Sequence, residues 1–127
     1  MIFLRTAALA ALLNLIVHAQ KDPTASDASA ELGTGTVAIY ATVNNPSMYD
    51  IYLVSGTSEA AGKVELMNVD KPVTTVTVPA YESAELKAGA MHVRLSDLKR
   101  EMKAGETVKL TLMTDGGISI PIAAVVK

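Results

Sequence analysis

Several stretches of the chain alternate apolar and polar residues at period two, and others are β-branched or aliphatic runs bounded by turn residues, which predicts strands. Val37-Ala38-Ile39-Tyr40-Ala41-Thr42-Val43 is β-branched and aromatic, and Asn44-Asn45-Pro46-Ser47 stops it with turn formers. Further strands are expected at Ile51 to Val54, Lys63 to Met67, Val73 to Val78, Ser83 to Lys87, Ala90 to Leu95, Thr107 to Met113 and Ile118 to Val126. Ala88-Gly89 and Asp115-Gly116-Gly117 read as turns. Ser96 to Met102 has helix formers behind an N-cap type residue and is read as one helical turn. Pro121 suggests an edge position for the last strand. The pattern predicts an all-β antiparallel Greek-key sandwich or barrel of about seven to eight strands.

The first residues differ in kind. Arg5 precedes an apolar run from Ala7 to Val17, and Val17-His18-Ala19 offers small residues for cleavage. This layout predicts a signal-peptide helix over 1–19 and a periplasmic or secreted product. The run is too short for a permanent membrane span, which needs about 20 residues. Residues 20–36 are rich in Ala, Ser, Thr, Asp and Gly and read as a linker or weak first strand, with one domain over 37–127.

Without Arg5, ten basic residues face thirteen acidic ones, a net charge of −3. No basic footprint for nucleic acid exists. The chain has no cysteine, which excludes disulfides, thiolate metal sites, a thiol nucleophile and a lipidated cysteine. One histidine, His92, follows the leader, and no nucleophile motif or paired carboxylates accompany it, so an enzyme is not expected.

The methionines carry more information. Met91 alternates with Val93 and Leu95 and is assigned to the core, and Met102 to packing beneath the short turn. Met67 falls on the Glu65 face, opposite Val64 and Leu66. Two readings are open for it: a satellite packing contact under a loop, or a soft metal ligand. His92 alternates with Ala90 and Arg94, again away from the apolar face. It is either a hydrogen-bonded surface residue or a ligand. Thioether and imidazole together suit Cu(I). Met48, in the loop after the first clear strand, is a third candidate.

Several blocks occur in the order of a known family. Val37 to Asn45, Asp50 to Leu53, Val64-Glu65-Leu66, Val78-Pro79-Ala80, Glu85 to His92 and Ala104-Gly105-Glu106-Thr107-Val108 together resemble periplasmic copper chaperones of the PCu(A)C type. The resemblance implies a cupredoxin-like barrel that binds Cu(I) and hands it to a copper-accepting protein of oxidase assembly. It also implies a His, Met, His-x-Met ligand set. Met67 stands at the first histidine position, His92 at the second, and Arg94 where a methionine is expected; the loop that would carry the other methionine is short. The expected site is therefore reduced to Met67, His92 and Met48. The alternative is a β-sandwich interaction or assembly module that has lost the metal site. In the copper reading, Arg94 opposes a cation unless Glu65 or Asp70 pairs with it.

Overall fold

The structure, a computed structural model, describes residues 22–127. The predicted signal peptide lies outside the described residues. Among the described residues ten strands form: β1 Thr24–Leu32, β2 Val37–Asn44, β3 Ile51–Ser58, β4 Ala61–Asn68, β5 Lys71–Val73, β6 Val76–Val78, β7 Ser83–Leu86, β8 Met91–Leu98, β9 Thr107–Thr114 and β10 Ser119–Val126. The all-β class is as the alternation predicts. β1, and the split of the Val73–Val78 stretch between β5 and β6, raise the number from eight to ten.

The strands run in the order β5-β4-β8-β2-β1-β10-β9-β3-β6, and a β3–β4 bridge at Ser58↔Ala61 closes the central seven into a barrel. β7 extends the sheet beyond β8 by pairing the far half of β2. One pairing departs from the antiparallel expectation: β1 runs parallel to β10 at Ser29↔Val125 and Ala30↔Val126. The sheet is thus mixed.

Alternation places the core. In β2, Val37, Ile39, Ala41 and Val43 point inward and are buried. They meet Val93 and Leu95 of β8, Val108, Leu110 and Leu112 of β9, and Ile120, Ile122 and Ala124 of β10. Each larger aliphatic chain in this interior contributes roughly 1.5–3 kcal/mol relative to exposure.

Within the stretch read as a linker or weak first strand, residues 24–32 form a nine-residue strand. Their alternation is hidden because the inward residues are alanines; Ala30 is completely buried. A bulge between Ser26 and Ser29, with Asp27 at φ 53°, bends the strand across to β10. Pro121 sits where β10 pairs β9 but not β1, so its missing N–H leaves no ladder bond unmade.

The helical turn expected over Ser96 to Met102 does not form. β8 continues to Leu98, opposite Ala61, and Lys99 N–H donates to Ala60 C=O at 2.8 Å. Seven residues are too few for helix propensity to compete with an adjacent strand. Met102 is buried beneath this stretch, as its spacing suggests.

Candidate metal centre

The site is built on the β4–β8 ladder. Its register runs without a shift from Lys63↔Ser96 to Asn68↔Met91, so side chains alternate faces strictly. Val64↔Leu95 and Leu66↔Val93 face the interior. Glu65↔Arg94 and Met67↔His92 face outward. Directly opposed residues hold their Cβ atoms roughly 5 Å apart. The thioether and imidazole therefore share one rung of the outer face.

That rung extends in both directions. Pro72 of β5 lies in register with Met67. Tyr40 of β2, one residue past the Ile39↔Val93 pair, sets its ring against His92, with centroids 6.1 Å apart and planes at 66°. Met67 is 1% exposed yet stands outside the contiguous aliphatic core. Alternation on a polar face suggests an accessible sulfur; this side chain is instead almost wholly buried, with Pro72 and His92 as its ladder neighbours. His92 is half-buried.

The imidazole has a defined orientation. Nδ1 lies 3.0 Å from the Ala90 carbonyl oxygen. A carbonyl can only accept, so Nδ1–H donates and the lone pair rests on Nε2. This is the arrangement by which a carbonyl fixes the tautomer of a metal-binding histidine.

Arg94 is paired. Its Nη2 donates to Glu65 Oε1 at 2.9 Å, and Lys63 Nζ approaches the other carboxylate oxygen at 3.9 Å. The hydrogen bond from Arg94 holds the Glu65 carboxyl below its ordinary range, against the opposing effect of desolvation. A carboxyl depressed in the folded state stabilises the fold above its unfolded pKa, and that stability is lost as pH falls through the folded value. Glu65→Gln is therefore expected to cost about 1 kcal/mol at pH 7. The difference from the parent shrinks in the acid range, as urea unfolding at pH 7 and pH 3 would measure.

Met48 is not on this rung. It lies 62% exposed in the loop after β2, at the barrel end toward which β4 runs. Its neighbours Ser47 and Tyr49 are tied down by Asn45, and Ser47 C=O accepts from Tyr81 N–H at 3.1 Å. Two contributors escape the sequence reading. Tyr40 has a usable signal, since it alternates with Ala38 and Thr42 away from Ile39 and Ala41. The burial of Met67 has none, because it depends on how β5 folds back. Among the described residues, no group of three or more His, Asp or Glu gathers as a harder ion would need.

This barrel is the fold of PCuAC domains. The apo PCuAC domain from PmoF1 superposes with a TM-score of 0.73 at 19% identity, over 81% of this chain and 91% of that one. The solution structure of CuI-DR1885 from Deinococcus radiodurans matches with a TM-score of 0.67 at 32% identity, over 85% of this chain and 78% of that one. The profile described as "Putative lipoprotein LpqE-like" matches residues 15–126, and the chain belongs to this LpqE-like family. A curated relative, "Putative lipoprotein Lxx21020" of Leifsonia xyli subsp. xyli, is 27% identical over 104 residues, covering 75% of this chain. The chain spans 63% of that relative's length. Both lipoprotein names point to exported proteins, although this sequence has no cysteine to carry a lipid.

Proposed function

We propose that this protein binds one Cu(I) through Met67 and His92 outside the cytoplasm and passes it to a copper-accepting protein. The observation that carries the reading is the Met67↔His92 rung, outside the aliphatic core, with the imidazole lone pair left on Nε2. The donor set is soft and uncharged, which suits Cu(I) and disfavours harder divalent ions. The Glu65–Arg94 pair offsets the cation that would otherwise repel copper. Met48 is an accessory thioether in this reading, exposed at the barrel end where a partner could meet it. The copper-bearing form named for the Deinococcus radiodurans structure supports the choice of metal. Copper is cargo here rather than a resident cofactor, and no chemical step is assigned to the protein.

A competition titration against a Cu(I) chelator tests this. The wild type is expected to take one equivalent and His92→Ala to lose at least tenfold in affinity, the scale of losing even a group that supports a ligand.

The burial of Met67 favours a second reading, in which the thioether is only packing and the barrel serves as an interaction module. That reading predicts wild-type affinity no better than that of His92→Ala.

A further inference from the structure

Arg94 occupies the rung next to Met67 and His92 and faces the same way. Its guanidinium is half used. Nη2 is engaged by Glu65, but Nε is buried and has no hydrogen-bond partner among the described residues. A buried donor without an acceptor costs about 1–3 kcal/mol, and native structures fill such positions.

The local charge points the same way. One carboxylate, Glu65, faces two cations, Lys63 and Arg94. The next acid across the sheet, Glu31, is aligned with Arg94 only through the intervening Ala38. It is thus two strand spacings away, roughly 10 Å. Met67 and His92 bring no negative charge, and Cu(I) adds a positive one. Two protein donors also leave a soft ion room for another.

We propose that the site completes itself with a soft anion from outside the chain, a thiolate or halide-type donor that binds the copper and accepts a hydrogen bond from Arg94 Nε–H. This rests on the reading of Met67 and His92 as the Cu(I) pair. The anion offsets the surplus charge and fills the orphaned donor at once. Cu(I) favours such donors over hard oxygen anions. Copper stays monovalent, and nothing is oxidised or reduced. A thiolate on the copper-exchanging partner is the source that fits this chemistry inside a protein complex; a free halide is the other.

X-ray absorption at the copper edge tests this on the full chain loaded anaerobically with one Cu(I) in bromide buffer. The wild type, and Met48→Leu, which removes the accessory thioether, are expected to show one nitrogen, one sulfur and one bromide neighbour. Arg94→Gln, and Arg94→Lys with its charge but no Nε–H, are expected to bind copper without bromide. Adding a monothiol to the wild type is expected to exchange the bromide for a second sulfur; bromide persisting would assign the position to halide instead of thiolate. Bromide retained by either variant overturns the role of Nε–H. Copper held by one nitrogen and one sulfur, with no bromide and no second sulfur in the wild type, overturns the anion and leaves the Met67–His92 reading standing. A chain that takes up no copper overturns both.

Discussion

Met67→Leu folds with nearly the parent's stability and loses Cu(I) affinity by at least about tenfold. The two halves of this expectation come from different physics. Leucine and methionine have similar volumes, and such exchanges in packed sites cost less than about 1.5 kcal/mol. Met67 is 1% exposed, so truncation to alanine would instead cost about 2–5 kcal/mol and confuse folding with binding. Leucine keeps the packing between Pro72 and His92 and removes the sulfur. Losing a group that merely supports a ligand costs 10- to 100-fold in metal affinity, on the order of the smallest effect expected for losing a ligand itself. Urea unfolding and chelator competition on the same sample separate the terms. Unchanged affinity in Met67→Leu would make the thioether a packing residue and favour the interaction module.

The largest loss of stability is expected at Asn45, which is 2% exposed. Its Nδ2 donates toward Tyr49 C=O at 2.7 Å, Val78 C=O at 3.0 Å and Pro79 C=O at 3.2 Å, and its Oδ1 accepts from Ser47 N–H at 3.1 Å and Ser47 Oγ–H at 2.7 Å. One side chain thus joins the loop after β2 to the end of β6. Asn45→Ala deletes every one of these bonds and leaves buried carbonyls without donors, at about 1–3 kcal/mol each for those that water cannot reach. A total loss of about 3 kcal/mol or more is expected, read as a lower urea midpoint at unchanged slope. Asn45→Asp does not rescue, because it sets a carboxylate against three carbonyl oxygens. A loss below about 1 kcal/mol would mean that the loop is held by its backbone alone.

Much of this was legible in the chain. Period-two alternation locates β4, β7, β8 and β9, and β-branched or aliphatic runs bounded by turn residues locate β2, β3 and β10. It fails for β1, whose inward positions are alanines, and at Ser96 to Leu98, where a neighbouring strand overrides local propensity. Parity alone assigns Met67 and His92 to the outward side of their strands. It cannot supply the register that sets them opposite each other, since one residue of slip would pair His92 with Leu66 or Asn68. The burial of Met67 is illegible for a similar reason: its pairing with Pro72 comes from β5, a three-residue strand with no alternation to read. Arg94 looks hostile to a cation until the ladder brings Glu65 to it. Met48 illustrates the limit from the other side, because being a soft donor near the right barrel end does not place it on the rung.

The joint action of Met67 and His92 is tested most directly by NMR of the wild-type chain, with methionine methyls and histidine rings labelled, as Cu(I) is added. The Met67 methyl and the His92 ring are expected to shift together and stop at one equivalent, while Met91, Met102 and Met113 stay in place. A Met67 methyl that never moves, with Met48 alone responding, would contradict the site.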